Sequence, residues 1–275
     1  MSIFERVAGS EGQQRRREIH GPPGERWFAE GSPIRTVHGD SSMFIGGIRA
    51  LLLQSLHPLA MAGVAGHSGY RGDPWGRLQR TSYFIAVTTF GRAADAQAAV
   101  SRVRAIHERV TGTAPDGRPY AAADPRLLTW VHIAEADSFL RAHTRCGARP
   151  LDQAGRDGYV ADLARIGLAL GVPDPPRTEA ELADRIREFR PELEGTAEAR
   201  AAARFLLFSP PLPVIARPPY GVLAAAATSL LPGWARRPLR LPRLPVAEAA
   251  LVRPSGHAMT QAIRWAMAPP PAEAA

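Results

Sequence analysis

The stretch HPLAMAGVAGHSGYRGDPWGRLQRT, residues 57–81, sets two histidines, three arginines and a Pro-Trp turn beside apolar runs. Arg77 and Thr81 are four apart and share one helical face, with Arg80 on its flank. Phe84, Ile85 and Thr88 continue the apolar side, so the guanidinium and the hydroxyl are expected to turn inward. Inward polar groups need an acceptor or an anion. A carboxylate elsewhere in the fold, a cofactor's carboxylates, or oxygen at a metal would each serve. A plainer reading pairs Arg77 with Asp73 to stabilise the turn.

Val100, Val103, His107 and Val110 recur at helical spacing. A histidine in such a stripe is either a buried imidazole hydrogen-bonded to a neighbour, or a metal ligand. As a ligand it would bind through Nε2, with Nδ1 held by a second acceptor. His132 stands in LLTWVHIAEADSF, three residues before Glu135 and within its reach. The zinc-protease order of histidine, glutamate and a second histidine is absent. His57, His67, His107 and His132 show no tight metal spacing. A site for iron or zinc would require His57, His67 and His132 to converge in space. There is no Walker A sequence and no G-x-S-x-G elbow. Gly63-Val-Ala-Gly66 follows no strand, so it is not a dinucleotide fingerprint.

The elements that position these residues read as helices. Apolar periodicity predicts Ser41–Leu56, Gly76–Thr89, Ala93–Val110, Leu127–Arg145, Gln153–Leu170 and Ala197–Phe208. Proline restarts a helix at Pro58, running to Gly66, and another at Pro125. Thr178 caps Glu179–Phe189 with Glu181 in the capping-box position. A short helix near Ile3–Val7, turns at Ser68–Gly76 and at Asp116-Gly117, and a last helix near Gly256–Met267 complete the pattern. The apolar run 214–232 reads either as a buried helix or as a segment lying on a membrane beside Trp234, Arg236 and Arg237. The expected fold is all-α: one helical domain of about eight to eleven helices. Residues 1–24 read as a flexible or extended segment, 25–240 as the domain, and 241–275 as a C-terminal helix with a frayed, proline-rich tail.

The composition is globular: of 275 residues, 45% are apolar and 22% charged. Arginine supplies the whole basic side of a +8 net charge. No zinc finger, RNP-like aromatic pattern or groove-reading basic helix accompanies that charge, which argues against nucleic-acid binding. The single cysteine, Cys146, allows no internal disulfide. With no signal-like stretch and no long apolar span, the expected location is cytoplasmic.

The blocks HPLAMAGVAGHSGYRGDPWGRLQRTSYFIAVTTFG, VRAIHERVTG, YAAADPRLLTWVHIAEADSFL and GYVADLARIGLALGVPDPPRT, in that order and spacing, resemble the MpaB and rubber-oxygenase catalytic domain family. The resemblance covers roughly residues 25–240 and is closest to the short bacterial members. It implies an all-helical fold with haem b in a pocket between central helices. It also implies an oxygenase that uses dioxygen on a hydrophobic small molecule: an alkene, a prenyl chain or an aromatic. By order and spacing the iron ligand falls on His107, and the groups near the haem on Arg77, Arg80 and Thr81. His57, His67 and His132 belong to the short-member pattern, to which the rubber enzymes lend no haem-site role; one of them is a candidate distal base or second ligand, with His57 taken as a further haem contact and His132 or His57 as a proton shuttle. A helical haem or lipid carrier without chemistry is a rival reading. Peripheral membrane contact and a homodimer are both compatible with the sequence.

Overall fold

Prolines set the starts of several helices, because the first helical position needs no N–H and favours the fixed φ of proline. The computed structural model describes residues 12–67 and 74–267. Within them run α1 (Gly12–His20), α2 (Pro33–His38), α3 (Met43–Gln54), α4 (Pro58–His67), α5 (Pro74–Phe90) and α6 (Ala93–His107). There follow α7 (Pro125–Cys146), α8 (Gln153–Leu170), α9 (Glu179–Phe189), α10 (Ala197–Phe208) and α11 (Arg217–Ser229). Short α12 (Gly233–Arg236) and α13 (Pro245–Ala247) lead through a π turn, Glu248–Val252, into α14 (Arg253–Met267). Side-chain caps fix several N-termini. Asp124 accepts from the Arg126 N–H, Asp152 from Gly155, Thr178 from Glu181 and Thr196 from Ala199.

α7 is buried on nearly every side, the property of a central helix. α3, α8 and α9 pack around it, with α2, α4 and α14 completing the shell. α3 lies close because Gly46 has no side chain; a Cβ there would sit 2.6 Å from Phe139 Cδ1. Leu52, Leu53, Trp130, Ile133, Leu140, Tyr159 and Phe189 fill the core. Arg49 crosses this core from α3. Its Nη2 reaches Asp137 Oδ2 at 2.6 Å, Nη1 reaches Ser138 Oγ at 2.7 Å and Nε reaches the Leu230 carbonyl at 3.1 Å. One guanidinium thereby ties α3, α7 and the end of α11 together.

The structure departs from the sequence reading in four places. The fold is predominantly helical, but the Asp116-Gly117 turn joins two short antiparallel strands, β1 (Thr111–Thr113) and β2 (Pro119–Ala121). The segment expected to be extended up to residue 24 contains α1. Arg26 orders its end by donating to the carbonyls of Ile19, His20, Pro22 and Phe90. α6 stops at His107, which leaves Val110 in the connection to β1. Arg236 is not on a surface: it is buried, bonded to Glu248 at 2.6 Å and to the Leu231 carbonyl at 2.8 Å. The expectations for Ile3–Val7, for the turns between 68 and 73, for the Asp73–Arg77 pair and for the tail after 267 lie outside the described residues.

α14 packs on the domain. Arg264 Nε donates to Asp40 Oδ2 at 2.9 Å, Thr260 Oγ1 to the Cys146 carbonyl at 3.2 Å, and Ser41 Oγ to the Thr260 carbonyl at 2.9 Å. Among the described residues no single helix is long and apolar enough to cross a membrane. The two apolar helices α3 and α4 meet at a bend of 108°.

Candidate functional site

α5 and α6 fold back on each other through Gly91 and Arg92. Arg77 and His107 lie at nearly equal distances from that turn, so this packing brings them to the same end of the helix pair. Arg77 is half-buried, whereas Arg80 and Thr81 are exposed. Neither arginine is without a polar interaction. The inward side of α5 is instead carried by Phe84, Ile85, Val87, Thr88 and Thr89.

α6 also packs on α8, where Arg104 Nη1 reaches the Ala169 carbonyl at 3.5 Å. His107 lies one turn beyond Arg104. Its Nδ1 is buried with no hydrogen-bond partner, and burial lowers the imidazole pKa. The acceptor expected to hold Nδ1 is not found among the described residues.

His132 packs against the last turns of α8. It is 8% exposed, and its ring lies against Gly167, where a Cβ would stand 2.8 Å from Cε1 and 3.0 Å from Nδ1. Only glycine leaves room for that ring. His132 Nε2 is buried and unpartnered, and burial holds the imidazole down to about 4. Glu135, one turn further along α7, feels only burial, which pushes its carboxyl up to about 7. The two do not hydrogen-bond to each other.

Beside them lies a group of residues with no signal in the sequence. His38 Nδ1 meets Thr89 Oγ1 at 2.8 Å, and Nε2 meets the Tyr159 hydroxyl at 3.4 Å. The His38 ring stands edge-on to Phe139 and Tyr159. Burial lowers His38 to about 3. Burial, then the charges of Glu135 and Asp137, raise Tyr159 well above its ordinary value. These side chains come from α2, α5, α7 and α8, and no local spacing links them. The interior of α2, α5, α7 and α8 therefore holds neutral imidazoles and a carboxyl that is largely neutral up to about pH 7. Such groups can give or take a proton without placing a permanent charge in an apolar interior.

His57 goes elsewhere. It is buried with its Nε2 3.5 Å from Glu192 Oε2, beside the paired rings of Trp130 and Phe189. Burial lowers its pKa, and Glu192 opposes that shift. Trp130 and His132 are two residues apart on α7 and so point to nearly opposite sides. His67 is exposed and meets the Tyr120 hydroxyl at 3.3 Å. His57, His67 and His132 thus have three separate surroundings. Among the described residues no three His, Cys, Asp or Glu side chains converge on a metal position. The iron-or-zinc site expected from those histidines is not assembled, because α7 separates His57 from His132 and the hairpin engages His67.

Glu135 gives a pH test with a definite sign. Its proton is held more tightly in the folded chain than in the unfolded one. The stabilisation is therefore full at low pH and is lost as pH rises through about 7. The buried histidines act in the opposite direction, so the comparison must be between variant and wild type. From about pH 5 to about pH 8, Glu135→Gln should gain roughly 2–3 kcal/mol on the wild type in urea unfolding. A pH-independent difference would mean that the carboxyl ionises in its ordinary range.

The fold is that of a helical protein whose interior, between α2, α5, α7 and α8, holds neutral imidazoles and a neutral carboxyl. Residues 35–265 match the family described as ER-bound oxygenase mpaB/B'/Rubber oxygenase, catalytic domain, and the chain belongs to that family. The match takes in α14, beyond the limit of about 240 expected from the sequence blocks. Membership supports a general oxygenase or oxidoreductase role. Two relatives, Uncharacterized protein Rv2237 of Mycobacterium tuberculosis and Uncharacterized protein Mb2261 of Mycobacterium bovis, are each 32% identical over 101 residues. That stretch is 37% of this chain and 39% of each relative, well under half of either length. No solved structure matches the chain.

Proposed function

We propose that this protein is a haem b-dependent oxygenase that acts with dioxygen on a hydrophobic small molecule carrying an alkene, prenyl or aromatic group. The observation that carries the reading is the match of residues 35–265 to an oxygenase catalytic domain; His107 adds a half-buried imidazole at the end of α6, kept neutral by burial, with Nδ1 left without the acceptor expected behind a ligand. A porphyrin supplies four of the iron's ligands, so one neutral imidazole from the chain meets the requirement and no cluster of protein ligands is needed. The residues present fit the group in that respect.

Haem, when bound, supplies the redox chemistry with dioxygen. The chain's own residues do the rest. His107 holds the iron. Arg77 and Arg80 offer guanidinium groups to the cofactor's carboxylates, which bind such forks well. Thr81 offers a hydroxyl beside them. His132 accepts or donates a proton at Nε2, and the Glu135 carboxyl, close to half-protonated at neutral pH, donates one. Phe84, Ile85 and Val100 make the neighbourhood apolar, which suits an uncharged substrate and excludes water. His57 is paired with Glu192 on the far side of α7, and no cofactor contact is proposed for it.

The test is haem content. The purified protein, expressed with added haem precursor, should show a Soret band, and a pyridine haemochrome assay should give close to one haem b per chain. A colourless protein that takes up no haem on titration would overturn the assignment and leave the helical fold untouched.

A further inference from the structure

Of the apolar run 214–232, which reads either as a buried helix or as a segment lying on a membrane, the helical part is turned inward. α11 turns Leu223, Ala224, Ala226 and Ala227 into the core. The exposed apolar groups lie to either side of it. Val214 and Ile215 precede α11 and are 76% and 87% exposed; Val246 and Leu251 follow it and are 82% and 66% exposed. The turn Glu248–Val252 packs against α11, and an apolar cleft of about 300 Å³ lies between them, with Pro218 and Val222 on one wall and Leu251 and Val252 on the other. Large apolar side chains this accessible, grouped on one face, are unusual in a surface that meets only water.

The charge on this face has one sign. Arg217 directly follows the first group, Arg243 precedes the second, and Arg253 directly follows it; all three are exposed. Between residues 199 and 256 the sequence has a single acidic residue, Glu248. That carboxylate is committed to the buried Arg236. Exposed aliphatic side chains fringed by unopposed arginines match the boundary between acyl chains and anionic headgroups.

We propose that the face built from residues 214–218 and 243–253 binds the surface of an anionic lipid bilayer, with Ile215, Val246 and Leu251 entering the acyl boundary and Arg217, Arg243 and Arg253 meeting headgroup phosphates. This attachment is peripheral. It depends on side chains that no core contact needs, and it is independent of the haem reading.

The experiment is flotation of the full chain with vesicles of phosphatidylcholine alone, and of phosphatidylcholine mixed with phosphatidylglycerol, at low and high salt. The wild type should float with the mixed vesicles at low salt and much less with the neutral ones or at high salt. Arg217→Gln with Arg253→Gln should weaken that binding roughly twentyfold. Ile215→Asp with Val246→Asp should weaken it at least as much with the circular dichroism unchanged, since both residues are exposed. Absence of flotation, or equal flotation of all variants, overturns the proposal. So does a wild type that sediments as a dimer, fails to float, and becomes monomeric with Ile215→Asp; the face would then belong to a second copy of the chain.

Discussion

Replacing His107 with alanine is expected to cost the protein its haem while leaving its helices in place. The residue is the last of α6 and only half-buried, so its side chain supports little of the core. Outer-shell partners of metal ligands are themselves worth about 10–100-fold in affinity, so losing the ligand should cost roughly a hundredfold or more. The Soret band and the haemochrome yield should fall together, with circular dichroism and the thermal midpoint close to wild type. Imidazole added to the variant should restore part of the band by occupying the vacated position. His132→Ala separates ligation from proton handling: it should keep the haem and alter turnover. If His107→Ala keeps a wild-type spectrum and His132→Ala loses it, the iron ligand is on α7 and the assignment made here is wrong.

Replacing Arg49 with alanine is expected to give the largest loss of stability. Arg49 is 2% exposed, and its guanidinium makes three bonds, two to α7 and one to the end of α11. Removing it strands the Asp137 carboxylate in the core, and breaking such a buried pair from one side typically costs about 3–5 kcal/mol. Arg141 Nε reaches Asp137 Oδ1 at 3.2 Å but from an exposed position, so it compensates only in part. The double variant Arg49→Met with Asp137→Leu removes both charges and should recover most of the loss. Urea unfolding of the three proteins measures this directly. A loss below about 1 kcal/mol for the single variant would mean that Arg141 and solvent already serve Asp137. Asp137 is two residues from Glu135 and its charge raises Tyr159, so the Arg49 bonds also set the field in the candidate site.

Much of the architecture was legible in the residues because its causes are local. Helix starts follow from prolines and from Asp152, Thr178 and Thr196, which bond N–H groups three residues away. The apolar stripe that turned His107 inward needs only the helical period. The β hairpin was missed although its turn was found, because three-residue strands carry too little alternation to register. The Arg26 anchor of α1 was missed for another reason: the donor and its four carbonyls come together only when Phe90 is brought alongside.

The candidate site divides along the same line. The sequence by itself determined the helices, the inward stripe of His107 and the order of blocks that marks the family, since each is a property of one segment. It did not determine which histidines share an interior. His57 and His132 look equivalent as residue types, yet α7 sends Trp130 and His132 to opposite sides, and Glu192 engages His57. Tertiary packing alone decided that His38 meets Thr89 and Tyr159, that the charge of Glu135 acts on Tyr159, and that Gly167 leaves room for the His132 ring. The physical reason is that burial and contact are properties of four helices at once. The same desolvation that makes Glu135 a proton donor near neutral pH exists only after α2, α5, α7 and α8 have closed around it.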